Sequence, residues 1–338
     1  MMKKSFIFGA ALMLVSAFGL QSCSKEDNAG DATVDALAYD IANKADLSVL
    51  IDKYAENGVL TLPASAEITM AEEIQLNEPL KIRTAEGAKP AGIIAKAGFV
   101  TTSSLILENV AFEVSGVSTP FIKMNTLPTE GLNDAGAYEV DEISLINSSI
   151  IGLKNSLFYA NKQKYLINEF NIDHCVIDFG GTTGKTIIDF NGGGLPLNVT
   201  IDQSMIGASK ETSWSNGGLF STQSGSNLAQ VTTDADAKHT FTVTQSVLTC
   251  ISNGKTLCTL RQNNQAWQYY VVKDNVVNNC GKKNEFLVGF CAGRINKKEN
   301  WTASGNLVYF DDENTGAGEI EKSGLENACI VPETPAAE

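Results

Sequence analysis

Asp189 and Arg261 are the side chains of this sequence best suited to act together on a substrate. A carboxylate can hold a cation, and a basic residue can take or steady a proton. Other reagents are scarce. The chain has two histidines, His174 and His239, and its arginines are Arg83, Arg261 and Arg294. Asp311-Asp312 is an adjacent acidic pair, the raw material of a hydrolase that flanks a bond with two carboxyl groups, but it lies beyond the last of the chain's internal repeats. Arg294-Ile295-Asn296-Lys297 is a basic cluster that suits a uronic-acid carboxylate and equally suits a solvated turn. No Cys/His spacing matches a zinc site. The expectation is no metal, no cofactor and no supported catalysis.

The cysteines divide into two groups. Cys23 follows a basic start (Lys3, Lys4) and an apolar run from Phe6 to Leu20, and Leu20-Gln21-Ser22-Cys23 reads as a lipobox. The expectation is a lipoprotein signal peptide over 1–22, acylation of Cys23, and a lipid-anchored tether over 23–33. Ser24-Lys25-Glu26-Asp27 resembles the acidic export signal of Bacteroidota-type lipoproteins, which implies the cell surface of the outer membrane. The remaining six are Cys175, Cys250, Cys258, Cys280, Cys291 and Cys329. Cys250 and Cys280 fall at similar points of successive repeats and form the first candidate disulfide; buried thiols are the alternative. The net charge of -14 excludes nucleic acid and anionic head groups as partners.

The elements that would position these residues repeat along the chain. One pattern recurs: an apolar residue, any residue, a polar residue, two more, then an apolar one. It appears as Leu107-Glu108-Asn109-Val110-Ala111-Phe112 and again with its polar centre at 147, 174, 203, 245, 274 and 305. Four of the six intervals lie between 27 and 31 residues. A second short apolar segment follows each copy but the last: 121–125, 157–161, 187–191, 219–223, 257–261 and 286–290. Val, Ile, Thr and Phe alternate within these segments, while Asn, Gly and Ser interrupt them, so they read as strands. Such units are too short to fold alone and bury their apolar faces by stacking.

The resulting expectation is an all-β protein, a right-handed parallel β-helix over 59–310. Asn109, Asn147, His174, Gln203 and Gln245 would line its bend as an internal ladder, in the left-handed backbone that Asn tolerates. An amphipathic capping helix over 34–58, with Leu47, Leu50, Ile51 and Tyr54 on one face, would close the open edge. Residues 311–338 would form an acidic C-terminal tail or cap.

On this repeat architecture the chain resembles the pectate-lyase-like right-handed β-helix superfamily, in the form found in Bacteroidota surface lipoproteins. The resemblance implies a polysaccharide partner bound along one sheet, here the second segment of each repeat. Alternation turns Lys123, Asn125, Tyr159, Asn161, Asp189, Asn191, Gln223 and Arg261 outward as a polar stripe. Trp214 and Trp267 are the aromatic candidates for stacking on sugar rings, and long loops over 126–141 and 224–239 border the stripe. A surface glycan-binding protein is favoured. A structural or adhesin-like surface protein and a polysaccharide lyase remain as alternatives.

Overall fold

Each repeat turns at a residue in the left-handed backbone region. In the computed structural model, Asn109, Asn147, His174, Gln203, Gln245 and Asp274 have φ between +45° and +57°, and Gly305 has +68°. At every one the strand before the bend belongs to one sheet and the strand after it to another: Leu105–Glu108 precedes Asn109, and Val110–Glu113 follows it. The structure describes residues 32–179, 184–208, 217–222, 228–251, 257–260, 267–278, 280, 300–309 and 329–330.

Among these residues the strands form three sheets of nine, ten and seven members, and all pairings between strands are parallel. Through Val276–Asn278 the chain visits the sheets in turn, so strands three apart in chain order are neighbours. The first sheet runs from Val59–Leu62 to Trp301–Ser304, the second from Glu67–Met70 to Cys329–Ile330, the third from Ile74–Leu76 to Cys258–Leu260. This is a parallel β-helix. The sequence pattern resolved two strands per coil where there are three, because its recurrent spacing spans a bend and so merges strands of two sheets.

The core is a set of columns. Leu107, Leu145, Ile172, Ile201, Val243 and Val272 stack in register, all fully buried. Beside them runs an aromatic column: Phe158 to Phe190 at 4.8 Å, Phe190 to Phe220 at 5.9 Å, Phe220 to Phe241 at 4.9 Å. Burying each ring contributes roughly 2–3 kcal/mol before entropy is counted.

The internal polar ladder exists, one residue later than expected. Asn147, His174, Gln203 and Gln245 are exposed, and the His174 ring lies 2.7 Å from Asp173 Oδ1. A residue at the bend projects outward; the next one, entering the new strand, points in. The buried ladder is therefore Ser148, Cys175, Ser204, Ser246, Asn275 and Asn306. The Cys175 N–H donates to Ser204 Oγ (2.9 Å), the Ser246 N–H to Asn275 Oδ1 (2.9 Å), and the Asn275 N–H to Asn306 Oδ1 (3.1 Å).

Compactness divides the chain between Ala36 and Leu37. Helix α1, Ala32–Ala42, spans that point, and the larger unit, Leu37–Glu338, carries all the strands named above. Helix α2, Leu47–Tyr54, buries Leu47 and Leu50 against the core. Its cap, Asp46, accepts from the Ser48 N–H through Oδ1 (3.1 Å) and from the Ala71 N–H through Oδ2 (2.7 Å), tying the helix to the first coil. The expected helix to residue 58 is thus two helices, and it stops at Tyr54. Asn57 and Gly58, both at positive φ, redirect the chain into Val59, and a Cβ at Gly58 would lie 2.6 Å from Pro79 O. In the tail, Cys329–Ile330 pairs with Asn306–Tyr309 as the last strand of the second sheet.

Cys250 and Cys280 lie on neighbouring rungs, and both are thiols here. The register pairs Thr249 with Asn278, which sets Cys280 beside Ile251: the Ile251 N–H donates to Cys280 Sγ at 3.3 Å. Burial pushes the Cys280 thiol far up and the Cys175 thiol up to about 12.

Candidate functional site

The third sheet presents one outward position per rung, because its strands are two or three residues long. In register these positions are Gln75, Val100, Lys123, Tyr159, Asp189 and Ser221. Val100 and Ser221 are buried, whereas Lys123, Tyr159 and Asp189 are half-buried. Among the described residues the half-buried part of the expected stripe is therefore a window of three rungs, roughly 10 Å from Lys123 to Asp189.

Partial burial sets the electrostatics of the window. Asp189 accepts from the Asn191 N–H (2.9 Å), but desolvation raises its pKa above the usual carboxylate range, with that bond, Lys185 and Lys162 acting the other way. Tyr159 is raised by burial and then by the neighbouring Asp189 carboxylate. Lys162 and Lys185 were not singled out from the sequence. Lys162 was findable, since it follows Asn161 and both take positive φ in a tight turn.

The three asparagines stand just beyond these strands, each with its own role. Asn125 donates to Gln75 Oε1 (3.4 Å), and its Oδ1 accepts from the Thr126 N–H (2.8 Å). The Asn161 carbonyl accepts from Gln163 Nε2 (3.2 Å). Asn191 Oδ1 is buried with no hydrogen-bond partner among the described residues. No hydrogen bond joins one of these side chains to another among the described residues. Gln223, Arg261 and Trp214 lie outside those residues.

Trp267 is placed elsewhere. It packs on a second apolar cluster of Ala137, Leu166, Leu195, Leu228 and Val231, of which Leu166 and Leu195 belong to the first-sheet strands Tyr165–Asp173 and Leu195–Asp202. The long loops meet there, Asn133 Nδ2 donating to Val231 O at 2.8 Å. Tyr138 and Tyr165 pack edge to face (6.0 Å), and Tyr165 is fully buried with its hydroxyl on Asn125 O at 3.2 Å. Nearby, His239 is fully buried and stacked on Phe220 at 5.8 Å. Its Nδ1–H donates to Pro196 O (2.7 Å), and Nε2 has no hydrogen-bond partner among the described residues. Burial pushes its pKa down to about 4.

The fold and window define a parallel β-helix protein with a short row of half-buried polar side chains on its third sheet. Residues 66–209 match the family model described as a domain of unknown function, DUF4957. That span holds Lys123, Tyr159 and Asp189. No curated protein and no solved structure matches the chain. Among the described residues, no group of three or more His, Cys, Asp or Glu is placed to hold a metal ion.

Proposed function

We propose that this chain is a cell-surface lipoprotein of the outer membrane, of pectate-lyase-like descent, that binds a polysaccharide on its third sheet without cleaving it. The observation that carries the reading is the Lys123–Tyr159–Asp189 row. A phenol ring offers a stacking face, while an ammonium and a carboxyl two rungs apart offer hydroxyl partners. Partial desolvation strengthens each of those hydrogen bonds relative to a solvated face. The lipobox ending in Cys23 and the acidic residues after it support display on the outside of the cell.

The test is a glycan array followed by calorimetry on the chain from Ser24 onward. We expect a glycan ligand whose affinity falls at least tenfold in Tyr159→Ala and Asp189→Asn, with melting temperatures unchanged. An array without ligands, or unaltered affinity in both variants, rejects the reading. Labelling of cells with a radioactive fatty acid tests the anchor: incorporation must vanish in Cys23→Ala.

A further inference from the structure

The outward face of the second sheet carries a feature that the proposed glycan window does not use. Gly92, Ala111 and Ser149 stand in one column on three successive rungs. Their short side chains leave a depression of 460 Å³. Ile94, 54% exposed, and Ile151, 40% exposed, form its aliphatic wall. Glu67 and Glu113 also line it, and Ser115 Oγ donates to Glu113 at 3.1 Å.

The floor continues along the axis as an uncharged column. Ser149 pairs with Val176, Val176 with Met205, Met205 with Val247, and Val247 with Val276. Val176 is 38% exposed. Three of the six exposed large apolar side chains among the described residues, Ile94, Ile151 and Val176, therefore share this face. Apolar exposure gathered on one face in this way is a mark of interaction surfaces.

The adjoining column alternates in character. Ile94 pairs with Glu113, Glu113 with Ile151, and Ile151 with Asp178. Glu113 and Asp178 are two rungs apart, roughly 10 Å. Two turns of an α-helix span about 11 Å. Burial raises the Asp178 pKa, and among the described residues no ion pair joins Glu67, Glu113 or Asp178 to a lysine or arginine.

Charge selects the occupant. A second copy would set carboxylate against carboxylate, and an anionic bilayer would be repelled by a chain of charge -14. A positively charged partner meets no such barrier. We propose that this face docks a basic amphipathic helix of a partner protein, lying along the coil axis. Its lysines or arginines meet Glu113 and Asp178, and its apolar residues cover Ile94, Ile151 and Val176.

The experiment uses fluorescence anisotropy of a labelled 18-residue (about five turns) amphipathic leucine/lysine peptide. The protein is the chain from Ser24 onward, which keeps all of Leu37–Glu338. Saturable binding is expected, weakened at least tenfold by Ile94→Glu with Ile151→Glu. Glu113→Gln with Asp178→Asn should weaken it at least fivefold and flatten its salt dependence. Glu130→Gln with Asp134→Asn, on the exposed 126–137 loop, controls for general attraction to an acidic protein, and Asp189→Asn controls for the glycan window. Both should bind as the parent does. The proposal is overturned if the loop variant weakens binding as much as the face variants, or if the isoleucine variant binds normally. Self-association in sedimentation equilibrium that Ile94→Glu abolishes would also overturn it, since the occupant would then be a second copy.

Discussion

The Ser204 N–H donates to Ser246 Oγ, 3.1 Å away on the next rung, while Ser204 Oγ donates to Asp202 O at 2.7 Å. Ser204 Oγ also accepts from the Cys175 N–H of the preceding coil (2.9 Å), so one small hydroxyl satisfies backbone groups of two coils, which is why the ladder sits inside an otherwise apolar core. Asn275 does more: its amide reaches Val243 O (2.8 Å) and Asn306 Oδ1 (2.9 Å), and its Oδ1 accepts from the Ser246 N–H. We predict that Asn275→Leu lowers stability by about 2–4 kcal/mol, since several buried polar groups lose their partner at once, and that Ser204→Ala costs about 1–2 kcal/mol. Urea titration followed by circular dichroism checks both, and equal effects would contradict the ranking.

The bend residues give a test of opposite sign. Gln203 has φ +45° and an exposed side chain, so its backbone is strained without a contact in the core to compensate. Gln203→Gly is expected to be neutral or stabilising by up to about 1 kcal/mol, whereas Gln203→Val should destabilise by about 1–2 kcal/mol. Thermal melts of the two variants should move apart.

His239 predicts a pH dependence. Its folded pKa is pushed down to about 4 from 6.5, so between these values the unfolded chain binds the proton and the native state does not. Stability therefore falls as pH is lowered from about 6.5 toward 4, by about 3 kcal/mol in all. Asp178 and Asp189, raised by burial, act in the opposite sense, each favouring the folded state at low pH. His239→Phe keeps a ring against Phe220 and removes the proton site. Its denaturation midpoint should be flatter than the parent's over that interval, and a parallel pair of curves would refute the assignment.

At the N-terminal end, Asp46 holds both the start of helix α2 and the Ala71 N–H. Asp46→Ala is expected to cost about 1–2 kcal/mol, and Asp46→Asn less, because the amide keeps one acceptor. Hydrogen exchange read by mass spectrometry should show the loss first in Leu47–Tyr54 and Glu67–Met70.

Much of the architecture was legible because the polar centres at 109, 147, 174, 203, 245, 274 and 305 mark the left-handed bends themselves. The ladder was misplaced by one residue for a physical reason: periodicity locates a bend but does not say on which side the inward alternation resumes. The first two coils were harder to see. Glu67–Met70, Ile74–Leu76, Ala91–Ala95 and Phe99–Thr101 lack the repeated spacing, although they pair as regularly as the rest. In the window, Lys123, Tyr159 and Asp189 followed from alternation, whereas the burial of Val100 and Ser221 depends on neighbours that no local pattern encodes. Trp267 was a ligand candidate as an aromatic beside the loops, and its packing on the cluster that holds Leu228 and Val231 needs the two loops to meet.

The in-register parallel pairing has a further corollary. Within the three sheets a strand pairs only with the strand above and the strand below, while side chains such as Asn125, on Gln75, and Asn133, on Val231, reach past the next coil. Duplicating or excising one complete turn outside those bridged stretches, cut at two successive bends such as Gln245 and Asp274, would leave the remaining sheet pairings intact. Such a protein can therefore change in reach by whole storeys over evolutionary time, while the chemistry displayed on each storey varies independently.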